Sequence, residues 1–160
     1  MPSPTTPHTH LPKPRVGLFV TCLADLMRPS VGFAAVKLLE AAGCIVEVPS
    51  SQTCCGQPAY NSGDEVLARE LALKTVRSFR GVDSVVAPSG SCAAMLKLHY
   101  PRLFANGSAE ERAEVGAFAG RVHELTHFLV HGRGVTAVPG TFKGRVAYHD
   151  ACSGKRELGL

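Results

Sequence analysis

Six of the 160 residues are cysteines, and their grouping makes them the side chains best suited to chemistry in this chain. Two are adjacent and precede a glycine, in the order Cys54, Cys55, Gly56, and Cys22 and Cys92 lie on either side of them in the sequence. Thiolates bind soft metals and iron–sulfur clusters, and a glycine beside them lets the backbone approach a bulky group because it has no Cβ. The candidate ligands of a single centre are Cys22, Cys54, Cys55 and Cys92.

The overall composition is that of a globular protein. Hydrophobic residues make up 45% of the chain and charged residues 19%, which excludes disorder over its whole length. The formal net charge is +4, but the basic residues do not form the long runs or stripes typical of nucleic-acid-binding proteins. We therefore expect a folded chain with no nucleic-acid partner.

An even number of cysteines is also typical of secreted domains with disulfides. The N-terminal segment argues against secretion, because residues 1–14 are polar and rich in proline and lack the apolar stretch of a signal peptide. No apolar run approaches the roughly 18 residues of a membrane span. We expect a cytoplasmic protein with reduced thiols, a disordered tail over residues 1–14 and no membrane span.

Short apolar runs alternate along the chain with segments of helical periodicity. The apolar runs cover residues 16–20, 44–49, 83–87 and 145–148, and the helical segments cover residues 30–42, 62–79, 93–100 and 109–131. Ser62 and Glu65 have the spacing of a capping box, which predicts the start of the second helix. The alternation predicts an α/β fold, with a mostly parallel sheet flanked by helices.

The cysteines are placed where such a sheet binds ligands. Five of them come shortly after a predicted strand: Cys22, Cys54, Cys55, Cys92 and Cys152. Because ligands of parallel sheets lie beyond the carboxyl ends of the strands, we expect these cysteines to gather at one edge. Cys44 begins a strand instead, and we expect it to be buried as a small hydrophobic side chain.

The cysteines are embedded in longer sequence words. These are FVTCLADLM at residues 19–27, QTCCGQP at 52–58, PSGSCAAM at 88–95, and YHDAC at 148–152 followed by RELG at 156–159. Together they resemble the cysteine-rich CCG module found in heterodisulfide reductase and in the iron–sulfur subunits of glycolate oxidase and anaerobic glycerol-3-phosphate dehydrogenase. The similarity extends over residues 15–160 and is greatest to the lactate utilization branch of that family.

This resemblance implies an iron–sulfur-binding electron-transfer component of a cytoplasmic oxidoreductase complex that oxidises L-lactate or glycolate. It implies other subunits as partners, carrying iron–sulfur clusters or flavin, because the chain has no Gly-x-Gly-x-x-Gly fingerprint of its own. The general module ends in Cys-x-x-Cys, whereas here Ser89 occupies the first of these positions. Four thiolates then remain, which is the number that a [4Fe–4S] cluster takes.

The resemblance also divides the chain. Residues 15–144 correspond to a first CCG module and residues 145–160 to the start of a second, incomplete one. In support of this division, Arg15 and Val16 precede Cys22 by the same distances as Arg145 and Val146 precede Cys152. Cys152 is then a ligand without its module, or it lies near the first site.

Two other functions remain open from the residues alone. The same four cysteines suit a structural zinc site with no redox role, although zinc sites usually contain close Cys-x₂-Cys pairs. Cysteine-based catalysis with His99 or His149 as the base is the third interpretation.

Overall fold

The structure is a computed structural model and describes residues 13–138, 140–149 and 151–160. The predicted tail therefore lies outside the described residues for positions 1–12.

One parallel sheet organises the described part of the chain. Its four strands are β1 (Arg15–Leu18), β2 (Ile45–Glu47), β3 (Ser84–Ala87) and β4 (Val122–Glu124), in the spatial order β2-β1-β3-β4. Gly17 pairs with Glu47 on one side and with Val85 on the other. The expected α/β architecture is confirmed.

Helices connect the strands and cover the sheet. They are α1 (Cys22–Met27), α2 (Pro29–Ala41), α3 (Gln57–Asn61), α4 (Glu65–Ser78), α5 (Gly90–Ala94), α6 (Tyr100–Leu103), α7 (Ala109–Gly120), α8 (Leu125–His127) and α9 (Cys152–Arg156). A π-helical turn at Met95–His99 joins α5 to α6, and another at Phe128–Gly132 extends α8.

Two hydrophobic clusters pack on opposite faces of the sheet. Val85 belongs to one cluster and its neighbour Val86 to the other, because successive strand residues point to opposite faces. Cys44 is 7% exposed and packs in the cluster that contains Val86, which confirms its expected burial. Gly17 allows the sheet and Phe79 to meet, since a Cβ there would lie 2.5 Å from the Phe79 Cδ1 atom.

The fourth strand is not where the sequence pattern placed it. The prediction of a strand at residues 145–148 is wrong: these residues form no strand, and Val146 and Tyr148 are exposed. The strand lies at Val122–Glu124, within the segment predicted to be helical, where Val122 is fully buried. Three residues are too few for their alternation to be distinguished from the amphipathic pattern of the flanking helices.

The start of α4 also differs from the prediction. The Asp64 side chain caps this helix by accepting a hydrogen bond from the Leu67 N–H at 3.0 Å. The Ser62 hydroxyl instead donates to the Ala59 carbonyl, so the capping box predicted for Ser62 and Glu65 is wrong. Ser62 lies only two positions before the true cap, Asp64. The sequence spacing alone does not distinguish these two residues as caps.

Candidate metal centre

The four candidate cysteines are held by elements that follow three adjacent strands. Cys22 is the first residue of α1, which follows β1, and Cys92 lies in α5, which follows β3. Cys54 and Cys55 lie in the loop between β2 and α3. The fold therefore brings all four to the carboxyl edge of the sheet, as the sequence predicted.

Their sulfur atoms form two close pairs. The Cys22 Sγ lies 3.9 Å from the Cys54 Sγ, and the Cys55 Sγ lies 3.5 Å from the Cys92 Sγ. The adjacent cysteines thus contribute one thiol to each pair. All four thiols are free, and no disulfide is formed among the described cysteines.

The two pairs differ in their exposure to solvent. Cys55 and Cys92 are 3% and 8% exposed and belong to the hydrophobic cluster that contains Val85. Cys54 is half-buried and Cys22 is exposed. A cavity of about 330 Å³ opens beside these last two and is lined also by Asp25, Gln52 and Thr53.

Hydrogen bonds fix the loop that carries the adjacent cysteines. The Gln52 side chain accepts from the Val20 N–H at 2.8 Å and donates to the Leu18 carbonyl at 3.3 Å, which ties the loop to the end of β1. The buried Tyr100 hydroxyl donates to the Cys55 carbonyl at 2.9 Å. Gly56 has a φ of +81°, a conformation that residues with a Cβ rarely adopt.

Cys55 and Cys92 form the inner pair, in which negative charge is favoured on Cys92. The Cys55 thiol donates to the Cys92 sulfur, and the hydroxyls of Ser89 and Ser91 assist, so that the pKa of Cys92 is lowered to about 7 despite its burial. The same interaction with Cys92, together with burial, raises the pKa of Cys55. Burial and the proximity of Cys54 raise the pKa of Cys22.

Ser89 is close to the centre although it replaces a cysteine of the general module. Its hydroxyl lies 3.1 Å from that of Ser91, and both hydroxyls interact with the Cys92 sulfur. The two serines therefore stabilise negative charge on that sulfur.

The expectation that Cys152 follows a strand of the sheet is wrong, because residues 145–148 form no strand. Cys152 begins α9, where it is exposed, and α9 packs closely on α5, since a Cβ at Gly90 would lie 3.1 Å from the Gly154 Cα. His99 pairs with Glu157 just after α9, with 3.0 Å between Nε2 and Oε2. Within the described ranges, no hydrogen bond joins His99 or His149 to a thiol.

Several residues of the centre were missed by sequence reasoning. Gln52, Thr53 and Tyr100 position or adjoin the cysteines, yet each is an ordinary polar residue in sequence. Tyr100 could have been found from its spacing, because it lies about two helical turns after Cys92 in a segment that was correctly predicted to be helical. Residues at that spacing lie on the same face of a helix.

Within residues 13–138, 140–149 and 151–160, there is no group of three or more His, Cys, Asp or Glu side chains arranged to hold a single metal ion. Over the same ranges, there is no helix with the length and apolarity required to cross a membrane.

Comparison with known proteins identifies similar chains. Lactate utilization protein A of Geobacillus kaustophilus is 50% identical over 146 residues, which cover 91% of this chain and 60% of that protein. The proteins of the same name from Geobacillus thermodenitrificans and Bacillus licheniformis are 49% and 42% identical, with the same coverage. The chain thus spans about 60% of the length of these relatives. No solved structure matches it.

The sequence profile of the cysteine-rich domain called CCG matches residues 16–97. This range contains Cys22, Cys54, Cys55 and Cys92 and ends before Cys152. It covers half of the chain and agrees with the resemblance that the cysteine words indicated. The chain therefore belongs to the CCG cysteine-rich domain family.

Proposed function

We propose that this chain is an iron–sulfur-binding electron-transfer component of a cytoplasmic system that oxidises L-lactate or glycolate. The observation that carries the proposal is that four free thiols lie at the carboxyl edge of the sheet, on elements that follow three adjacent strands. The proposed ligands of a [4Fe–4S] cluster are Cys22, Cys54, Cys55 and Cys92.

The donor set suits such a cluster. Four thiolates are the usual ligands of a [4Fe–4S] cluster, and all four thiols here are free and at one edge of the sheet. The open cavity beside Cys22 and Cys54 leaves space for a group larger than a single ion. The donor set and its surroundings therefore fit an iron–sulfur cluster.

When bound, the cluster accepts and releases single electrons. The residues of the chain position it and adjust its reduction potential. Burial of Cys55 and Cys92 excludes water from one side, and the Ser89 and Ser91 hydroxyls donate toward the Cys92 sulfur. Hydrogen bonds to sulfur and limited solvent exposure are the factors that set the potentials of such clusters.

The substrate and partners are proposed from the relatives. Their name, lactate utilization protein A, places them in lactate utilization, and the match to them covers most of this chain. We propose that it works with other subunits that carry iron–sulfur clusters or flavin and is not catalytic alone. Residues 15–144 are proposed as one CCG module and residues 145–160 as the start of a second.

A structural zinc site is the alternative, and one observation favours it. Two thiolates on a tetrahedral zinc with bonds of about 2.3 Å lie about 3.8 Å apart, which is close to the distances in both pairs. Against zinc, no third His, Cys, Asp or Glu in the described ranges completes a single-ion site with either pair. The cluster is therefore the better supported of the two.

Metal analysis of the anaerobically purified protein separates these functions. We expect iron and acid-labile sulfide in equal amounts, with broad visible absorption, and we expect Cys55→Ser to lose both. Cys44→Ala is the matched control, because Cys44 is buried like Cys55 but lies in the other hydrophobic cluster. One zinc per chain without sulfide would contradict the cluster, and unchanged iron in Cys55→Ser would contradict the ligand assignment.

A further inference from the structure

Thr53 has a buried hydroxyl for which the protein provides no partner. Among the described residues, three buried side-chain polar atoms lack a hydrogen bond: Thr53 Oγ1, Thr75 Oγ1 and His99 Nδ1. Of these three residues, only Thr53 lines the cavity that also contains Cys22 and Cys54. A buried hydroxyl without a partner is destabilising, because it has lost its bonds to water and gained none.

The surrounding backbone holds Thr53 in this position. Its neighbour Gln52 is fixed at both ends of its amide, by the Val20 N–H and by the Leu18 carbonyl. Its other neighbour is Cys54, whose Sγ lies 3.9 Å from that of Cys22. Thr53 therefore cannot move far without breaking the attachment of the loop to β1 or displacing a ligand thiol.

We propose that the Thr53 hydroxyl donates a hydrogen bond to a sulfur atom of the iron–sulfur cluster on the side of Cys22 and Cys54, and that it thereby raises the reduction potential of the cluster. This inference rests on the proposed function. Sulfur bound to iron carries negative charge and accepts hydrogen bonds, so the bound cluster supplies the acceptor that the protein alone lacks.

With this hydrogen bond, a side-chain hydroxyl donates to sulfur beside each of the two thiol pairs. Cys92 in the inner pair already receives hydrogen bonds from Ser89 and Ser91. In the pair of Cys22 and Cys54, no serine or threonine hydroxyl of the described residues bonds to either thiol. Thr21 is buried beside Cys22, but its hydroxyl accepts from the Ala24 N–H, whereas the Thr53 hydroxyl has no partner. Donation to sulfur stabilises the reduced cluster more than the oxidised one, since the reduced cluster is more negative.

The test compares Thr53→Val, which removes the hydroxyl at nearly constant volume, with Thr53→Ser, which keeps it. The full chain is purified anaerobically, its iron and sulfide are measured, and its midpoint potential is determined by a spectroscopic redox titration. We expect a lower potential in Thr53→Val at wild-type iron content or a loss of iron, and wild-type behaviour in Thr53→Ser.

Ser50→Ala is the matched control, because Ser50 lines the same cavity but is exposed, so that water satisfies its hydroxyl. It should leave the potential unchanged. Equal potentials and equal iron in wild type and Thr53→Val overturn the inference and leave the proposed function intact. Absence of iron and sulfide from the wild type overturns both, because the proposed acceptor does not then exist.

Discussion

The sulfur of Cys55 lies 3.5 Å from the sulfur of Cys92, although 37 positions separate the two residues in the chain. The contact is made inside the hydrophobic cluster on one face of the sheet, where each thiol is the other's partner. Tyr100 supports it from the same helical segment as Cys92, by donating to the Cys55 carbonyl. The geometry of the centre therefore depends on packing between α5, its π-helical extension and the loop after β2.

Tyr100→Phe should destabilise the protein and loosen the loop that carries the adjacent cysteines. The substitution leaves the Cys55 carbonyl buried without its donor, which typically costs about 1–3 kcal/mol. We expect that loss in the free energy of unfolding in urea and a faster release of iron to a chelator.

Tyr60→Phe is the control for Tyr100→Phe, because Tyr60 is half-buried and its ring contacts the tilted ring of His99, with 5.0 Å between the centroids. Phenylalanine keeps this contact. The free energy of unfolding of this variant should change by less than about 0.5 kcal/mol. Equal losses in the two variants would show that the Tyr100 hydroxyl does not support the loop.

Gly17→Ala should be strongly destabilising. The added methyl would lie 2.5 Å from the Phe79 Cδ1 atom, and Phe79 is fully buried and has no space to retreat. Overpacking of this kind costs about 1–3 kcal/mol. The loss should appear as a lower urea midpoint with an unchanged slope.

Gly116→Ala should instead stabilise the protein and raise the urea midpoint. Gly116 lies within α7, and a Cβ there would meet no atom within 4 Å. Alanine is favoured over glycine inside a helix, so we expect a gain of about 0.5–1 kcal/mol. A gain from Gly17→Ala, or a loss from Gly116→Ala, would contradict the packing around these two glycines.

His123 should make the protein less stable in mild acid. Burial, together with Lys97 and His127 nearby, lowers its pKa below the usual value of 6.5. The unfolded chain therefore takes up a proton at this residue as the pH falls through 6.5, while the folded protein does not. The stability that the neutral His123 contributes is fully present above pH 6.5. It is lost as the pH falls from 6.5 to the pKa of the folded state, and the free energy of unfolding decreases by no more than about 1.4 kcal/mol per pH unit over that interval.

Comparison with His123→Gln isolates this contribution. The wild type should lose more free energy of unfolding than the variant between pH 7 and pH 5. The imidazole of His123 should also titrate below the usual value of 6.5 in NMR spectra. Identical pH profiles for the two proteins would refute the assignment.

The sequence was sufficient to predict the parallel sheet and the edge at which the cysteines gather. Cys22, Cys54, Cys55 and Cys92 were predicted correctly to lie at one edge, because their positions after strands are a local feature and strands of a parallel sheet end at one edge. Which thiol would pair with which was not predictable, since it depends on the distances between α1, α5 and the loop.

The predictions from sequence that were wrong or incomplete also have physical causes. The strand expected at residues 145–148 repeats the apolar character of β1, but in the described chain β3 pairs with β1 and β4, and these residues stay exposed. The contribution of Tyr100 depends on a single hydroxyl, which periodicity does not distinguish from an ordinary core aromatic residue.

The pairing of the thiols determines which disulfides the metal-free protein can form. Oxidation removes two electrons and two protons from a pair, and only sulfurs already close together can reach the bond length of about 2.05 Å without moving the backbone. With a mild thiol oxidant we expect bonds between Cys22 and Cys54 first, because these are more exposed, and between Cys55 and Cys92 more slowly.

Mass spectrometry of proteolytic peptides identifies the bonds that form. Cys44 should remain a thiol, because it is 7% exposed and packs among hydrophobic side chains, and it is the internal control for partial unfolding. In Cys92→Ser the bond from Cys22 to Cys54 should still form, while Cys55 stays reduced. A bond between the adjacent residues Cys54 and Cys55 in the folded wild type would contradict the division of these thiols between two pairs.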